Sequence, residues 1–240
     1  MTLGIWLAAL AAIALVLRRQ PIALIAVALG LRLAIPSVAL VAFTGTAATG
    51  QLQLASWFLL FAVLASLSSK PRMYLAEVNR RFWFYFFLVI TLAAAVIITS
   101  QSQVPPSFMI VLLDTLGFGI LLCFMIRATI GESAETGRRV ALLVVSLACA
   151  EAVLAIVQSS TGKTLVWEQY MSSYYWWSPT ATRVSGSVGA WLDLAFILAV
   201  AVPLSAVIRN TLLRLATVGL LLTALLLSQS RAPFIAAVMC

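Results

Sequence analysis

Residues 140–158 read VALLVVSLACAEAVLAIVQ, a run of 19 residues in which Glu151 is the only charged side chain. An apolar run of this length matches the roughly 20 residues that an α-helix needs to cross the hydrocarbon core of a bilayer. Lipid offers the backbone no hydrogen-bond partners, so such a run must satisfy its own N–H and C=O groups as a helix. The stretch therefore predicts a membrane-spanning helix, and similar apolar runs lie on both sides of it.

The composition of the whole chain agrees with this prediction. Of its 240 residues, 63% are hydrophobic and 9% are charged, whereas soluble domains average about 45–50% and about 25%. These values exclude a water-soluble globular domain, and such high hydrophobicity also excludes a disordered chain. The chain has no histidine, and its 3 cysteines all lie in apolar runs. We therefore expect neither a metal site nor a disulfide.

The apolar runs predict an all-α fold, a polytopic bundle of about eight complete transmembrane spans followed by the start of a ninth. The predicted spans are 2–17, 21–43, 52–68, 82–99, 108–126, 140–158, 190–208 and 211–227. As a helix, residues 232–240 cover roughly 14 Å, less than half of a hydrocarbon core of about 30 Å. We therefore expect residues 1–240 to form a single transmembrane domain that is truncated at its carboxyl end.

Basic residues distinguish the two sides of the predicted membrane. If the loops alternate, 11 lysines and arginines fall on one side and 3 on the other, namely Lys163, Arg183 and Arg231. Since basic residues concentrate in cytoplasmic loops, the amino terminus and the long loop 159–189 are predicted to be extracytoplasmic. On the cytoplasmic side, the basic segment 70–81 is predicted to form a short helix at the membrane surface.

Apart from Arg214 near the cytoplasmic end of the eighth span, four charged side chains fall inside the predicted spans: Arg32, Asp114, Glu151 and Asp193. Charges in the hydrocarbon region are costly, so each is expected to have a buried partner or a function. In one interpretation, Arg32 pairs with one of the acids and ties two helices together. In the other, these residues shape a polar cavity that opens to the outside.

The external loop 159–189 carries a dense group of aromatic residues. They are Trp167, Tyr170, Tyr174, Tyr175, Trp176 and Trp177. Amphipathic rings of this kind lie at the headgroup level of a membrane, and they also stack on sugar rings or contact an isoprenoid chain. Both interpretations stay open for this loop.

Two arginines flank the seventh and eighth spans at the predicted outer face. Arg183 begins the sequence RVSG, whose small residues let the backbone approach a ligand closely. Arg231 ends the sequence LSQSR, and one descending and one ascending span return it to the face of Arg183. A guanidinium presents a planar fork that suits phosphate oxygens, so the pair fits a diphosphate. Alternatively, Arg231 only extends to the membrane surface from a helix end.

These two segments resemble the motifs of the O-antigen ligase and O-antigen polymerase family of bacterial membrane proteins. Its members show a segment like RxSGTFGNPN that leads into a helix and, one helical hairpin later, an apolar helix that ends in SxSRG. Here the arginines are 231 − 183 = 48 residues apart, and AVAVPL at 199–204 is similar to the family's proline-containing helix. The resemblance covers residues 183–240 by motif, although SVGAWL at 187–192 stands where the family has TFGNPN.

The resemblance implies transfer of an oligo- or polysaccharide from an undecaprenyl-diphosphate carrier to an acceptor sugar at the outer face of the bacterial inner membrane. The implied partners are this lipid-linked glycan, an acceptor glycan or lipid, and membrane lipids, with no cofactor and no nucleic acid. Arg183 and Arg231 would be catalytic, binding the diphosphate and stabilising charge on the leaving group. The further substrate-binding residues that we expect are Ser185, Gly186, Asp193, Glu151, Arg32, Trp176 and Trp177.

Two alternatives stay open beside the transferase. The family places a histidine in an external loop after later spans, and this chain has no histidine. The enzyme prediction therefore depends on a longer protein, and a non-catalytic membrane subunit is one alternative. A polytopic transporter or lipid flippase is the other, because it also needs polar residues inside the membrane.

Overall fold

The computed structural model describes residues 3–36, 52–101, 106–131, 133–163, 166, 184–188 and 191–239. The described chain is helical, and no strand occurs among these residues. The prediction of an all-α fold is therefore confirmed.

A helix lies in each predicted span, and a short additional helix follows the third. The helices are α1 (Leu3–Val16), α2 (Pro21–Ala34), α3 (Leu54–Ser69), α4 (Pro71–Arg80), α5 (Phe82–Gln101), α6 (Pro106–Ile130), α7 (Ala134–Thr161), α8 (Trp191–Leu204), α9 (Thr211–Leu227) and α10 (Arg231–Met239). A 3-10 turn, Ser205–Val207, continues α8.

Two of these helices contain apolar stretches long enough to cross a membrane, at Leu113–Ile130 and Ala134–Thr161. A third span is possible if α3 and α4, which are bent by 106° at their junction, count as one. The described apolar parts of the other helices are shorter, and a helix of 14 residues such as α1 extends about 21 Å against a core of about 30 Å. Among the described residues, the fold thus shows two or three helices of membrane length, and the bundle of about eight spans stays a prediction.

Prolines and capping side chains determine where several of the described helices begin and end. The second predicted span runs to residue 43 with a kink at Pro36, but α2 ends at Ala34. Proline disfavours the helical conformation of the residue before it, so α2 ends just before Pro36; residues 37–43 of the predicted span lie outside the described residues. Pro71 begins α4, where its missing N–H is not needed. At α9, the Asn210 side chain accepts the N–H of Leu213 at 3.1 Å.

The chain divides into two compact units. Unit 1 comprises residues 1–32 and 40–137, and unit 2 comprises residues 33–39 and 138–240. In the described part of unit 1, α1 packs on α3, while α3, α4 and α5 all pack on α6. Its fully buried side chains include Leu24, Ile25, Phe58, Leu59, Tyr74 and Met125.

Unit 2 is built on the hairpin of α8 and α9, against which α10 packs. A buried stripe of α7 joins the same apolar core, through Ala148, Ala152 and Ala155. Glu151 and Gln158 lie on this stripe and are also buried. They are seven residues apart, close to two helical turns, so both side chains emerge on one face of α7.

Candidate functional site

The segment Val184–Val188 in unit 2 is fixed to α7 by the side chain of Gln158. The Gln158 Oε1 atom accepts the N–H groups of Ser185 at 3.2 Å and Gly186 at 3.0 Å. Its Nε2 atom donates to the carbonyl oxygen of Gly186 at 2.9 Å. The amide side chain of Gln158 therefore forms hydrogen bonds with three backbone groups of the loop, which need partners where the chain is buried.

Glu151 holds the next residue of this segment. Its carboxylate accepts the backbone N–H of Ser187 at 2.8 Å and also the Ser187 hydroxyl. The same hydroxyl lies 2.9 Å from the carbonyl oxygen of Leu33. Glu151 and Ser187 are both buried. The hydrogen bonds between them offset the free-energy cost of burying the Glu151 carboxylate in apolar surroundings.

Gly186 permits this close approach between loop and helix. Its φ is 61°, in the left-handed region that residues with a Cβ atom rarely adopt. A Cβ atom added there would overlap the carboxylate of Glu151 and lie 3.2 Å from the Leu194 Cδ1 atom. The N–H groups of residues 185–187 consequently point to α7 and donate to Gln158 and Glu151. The role of Gly186 is to let the loop pack directly against Glu151.

A second polar turn follows α9. Ser228 and Ser230 are buried, and the turn between α9 and α10 holds Gln229 at a φ of 55°. A non-glycine residue in this region is strained and occurs mostly where surrounding structure or function requires it. Arg231 is exposed and begins α10. A pocket of about 350 Å³ opens here, lined by Leu225, Leu226, Gln229, Ser230, Arg231 and Phe234.

The topology of unit 2 places the two polar segments at the same end. α8 with its 3-10 turn and α9 each extend about 26 Å, and the short connection through 208–210 makes them antiparallel. The carboxyl end of α9 therefore lies level with the amino end of α8. Val184 and Leu225 belong to one apolar core, on which Phe234 also packs. Arg183, Trp176 and Trp177 lie outside the described residues.

Asp193 also lies at this end of unit 2. It is exposed in the first turn of α8, where the partial positive charge of the helix amino terminus favours a carboxylate. Of the predicted site residues, unit 2 thus contains Ser185, Gly186, Glu151, Asp193 and Arg231 among its described residues.

Arg32 and Asp114 form an ion pair in unit 1. Asp114 is buried and accepts two further hydrogen bonds, from the N–H of Gln53 at 2.8 Å and the hydroxyl of Ser56 at 2.7 Å. The Arg32 guanidinium lies 4.9 Å from the ring centroid of Phe118. This geometry matches the interpretation in which Arg32 pairs with an acid and ties helices together.

The structure adds Gln158, Ser187 and Ser56 to the residues that the sequence singles out. Gln158 could have been found from the sequence, because it follows Glu151 by two helical turns on a face that is otherwise apolar. Ser187 and Ser56 could not, because hydroxyls are common in membrane helices and loops. Within the described ranges, no three histidine, cysteine or carboxylate side chains are grouped as metal ligands.

The described residues form an all-helical fold in which two or three apolar segments have membrane length. Its unit 2 presents a fixed serine–glycine loop and an arginine-rimmed pocket at one end. No protein-family model, curated protein or solved structure matches the chain. Its class therefore rests on its composition and its fold.

Replacing Gln158 with leucine should destabilise unit 2 by about 2 kcal/mol, because buried backbone groups of the loop lose their partners. Unfolding by sodium dodecyl sulfate in mixed micelles, followed by circular dichroism, measures this change. Gln158→Glu keeps the acceptor but buries a negative charge against the Gly186 carbonyl oxygen, so we expect a loss at least as large as that of the leucine variant. Ser159→Leu, at an exposed neighbouring position, is the control; equal effects of both leucine variants would contradict the assigned role.

Proposed function

We propose that the chain is part of a bacterial membrane glycan transferase similar to the O-antigen ligase and polymerase family. It moves an oligo- or polysaccharide from an undecaprenyl-diphosphate carrier to an acceptor sugar. In this proposal the chain crosses the inner membrane about eight times, with its amino terminus and the 159–189 loop outside the cytoplasm. The observation that carries the proposal is the pocket at Arg231, at the same end of unit 2 as the loop that follows Arg183.

The lining of the pocket supports an amphipathic, anionic ligand. Leu225, Leu226 and Phe234 supply an apolar wall, while Ser230 and Arg231 supply polar groups. A polyprenyl diphosphate combines these two characters, and a guanidinium pairs with phosphate oxygens through two parallel hydrogen bonds. The strained Gln229 in the same lining is consistent with a turn that is kept for a ligand.

The fixed loop supports the proposal in a second way. Gln158 and Glu151 hold the segment that directly follows Arg183 in sequence. Catalytic groups that are positioned before the reaction stabilise developing charge without reorganising. Glu151 and Gln158 are therefore positioning residues in this proposal, and Arg183 and Arg231 are its catalytic residues.

The chemistry follows from this assignment. The bond between the sugar C1 atom and the diphosphate oxygen breaks, and the acceptor hydroxyl oxygen bonds to C1 and releases its proton. Both electrons of the broken bond stay on the diphosphate, whose negative charge the arginines stabilise. Removing one such electrostatic contact typically slows an enzyme by about a hundredfold or more.

Substitution of Arg231 tests the proposal directly. In vesicles that contain the full-length protein, Arg231→Gln and Arg183→Gln should each lower glycan transfer from the lipid carrier about a hundredfold. Arg231→Lys should retain part of the activity, because lysine keeps the charge without the planar fork. Arg209→Gln removes an exposed arginine at the opposite end of the α8–α9 hairpin and should leave transfer unchanged.

Other outcomes would contradict the transferase assignment. Transfer that persists in both glutamine variants would remove the arginines from the mechanism. Solute uptake driven by an ion gradient, with no glycan transfer, would favour a transporter. Donor-lipid binding that depends on Arg231 without turnover in the complete protein would indicate a non-catalytic subunit.

A further inference from the structure

The short helix α4 lies across the end of α3 in unit 1. The two helices are bent by 106° at Lys70. If α3 is oriented across a membrane, α4 therefore runs nearly parallel to the membrane surface. Its 10 residues extend about 15 Å, long enough to present two turns of one face to that surface.

The inward face of α4 is fixed to α6. Tyr74 is fully buried and packs on Phe124 with ring centroids 5.4 Å apart. The buried Glu77 accepts a hydrogen bond from the Tyr85 hydroxyl at 2.9 Å and lies 3.4 Å from the Arg127 Nε atom. Glu77 also pairs with Arg81 at 3.4 Å. The only acid of α4 is therefore turned inward and its charge is compensated.

The outward face of α4 carries basic residues together with the exposed apolar residues Leu75 and Ala76. Arg72, Leu75, Asn79 and Arg80 are all exposed; the first three lie on one stripe of the helix at i, i+3 and i+7, and Arg80 lies beside that stripe. Leu75 is 55% exposed. Arg72 and Arg80 have no acidic partner among the described residues of unit 1.

Neighbouring segments extend this face. The Ser69 hydroxyl donates to the carbonyl oxygen of Arg18 at 2.8 Å, which brings the exposed Arg18 and Arg19 beside the start of α4. Trp83, just after α4, is 76% exposed. Tryptophan and arginine together are typical of protein surfaces at a membrane–water interface. We call Arg18, Arg19, Arg72, Arg80, Leu75 and Trp83 the basic edge.

Few acids are available to neutralise the basic edge. Of the acids described in unit 1, Asp114 is buried against Arg32 and Glu77 faces α6. Glu135, in the first turn of α7, is exposed and is placed where a helix amino terminus favours it. The four arginines of the basic edge therefore leave a net positive surface.

We propose that the basic edge binds the headgroups of anionic phospholipids, with Leu75 and Trp83 inserted at the level of the headgroups. Charge complementarity identifies the partner, because four arginines that have no acidic partner within the described part of the chain are exposed beside apolar side chains. Each basic residue near an anionic bilayer strengthens binding by a similar increment. The proposal rests on insertion of the chain in a membrane and is independent of glycan transfer.

Native mass spectrometry of the full chain in detergent tests the proposal. Phosphatidylglycerol is titrated against the wild type and the double variant Arg72→Gln, Arg80→Gln, with phosphatidylcholine as the neutral comparison. We expect tighter binding of phosphatidylglycerol and a loss of about tenfold or more in the double variant. Binding should also weaken as salt is raised, since exposed charges are screened.

Two control variants test whether a loss of lipid binding comes from the basic edge itself, from the lower total charge of the chain or from misfolding. Arg209→Gln with Arg214→Gln removes two arginines from unit 2 and should leave phosphatidylglycerol binding nearly unchanged. Arg72→Lys with Arg80→Lys keeps the charge and should retain most of the affinity. Equal binding of both lipids, an equal loss in the unit 2 control, or displacement of the lipid by millimolar inorganic phosphate would each overturn the proposal.

Discussion

Gly186→Ala is expected to lower the unfolding free energy of the chain by about 2–5 kcal/mol, the sum of a left-handed backbone penalty and overpacking. Gly186 has a φ of 61°, so any Cβ atom there is strained. The added methyl group would also overlap the buried carboxylate of Glu151, which already binds Ser187. Either the loop or the carboxylate must move, and both movements break hydrogen bonds in the core of unit 2.

Gly162→Ala is the matched control for this prediction. Gly162 has a similar φ of 65°, but nothing lies within 4 Å of the position of its Cβ atom. Alanine there should therefore show the backbone penalty alone, about 1–2 kcal/mol. Unfolding of both variants in mixed micelles gives the comparison. If the two glycine variants lose the same stability, Gly186 does not close on Glu151 as described.

The positions of the helices could be predicted from the sequence because a long apolar run in lipid must satisfy its own backbone groups as a helix. The predicted span 211–227 coincides with α9, and α4 confirms that a short helix forms within 70–81. The number of membrane spans stays a prediction. Within the described residues, α2 ends at Ala34 although the apolar run continues past Pro36, because the residue before a proline disfavours the helical conformation.

In the candidate site, the buried charged residues could be predicted from the sequence, but their partners could not. The cost of burying charge singled out Arg32, Asp114 and Glu151 from sequence alone. Their partners depend on which helices pack together, which residue spacing does not encode. Arg32 was free to pair with several acids, and the packing of α3 on α6 places Asp114, Ser56 and Gln53 in one cluster. Gln158 was missed because an uncharged amide at a helix end carries little cost until its backbone partners are known.

Asp114→Ala is expected to destabilise unit 1 by about 3–5 kcal/mol, the usual effect of removing one partner of a buried ion pair. The substitution leaves the Arg32 charge without its carboxylate and removes the acceptor of the Gln53 N–H and the Ser56 hydroxyl. The Arg32 side chain is 23% exposed, so water reaches part of the guanidinium and lowers its share of the penalty. We therefore expect a value near 3 kcal/mol rather than 5. Unfolding in mixed micelles measures it.

A double-mutant cycle distinguishes the ion pair from packing. The cycle compares Arg32→Met, Asp114→Leu and the double variant, which removes both charges and fills a similar volume. The double variant should recover part of the lost stability, but not the part that comes from the acceptor of the Gln53 N–H and the Ser56 hydroxyl. The coupling between the two positions is then expected at about 1–3 kcal/mol. Additive losses would show that each side chain acts by its own packing. Recovery in the double variant would show that Arg32 and Asp114 join α2 and α6 as a charge pair. It would also show that the recovered part of the loss in each single variant comes from the partner charge that is left unpaired.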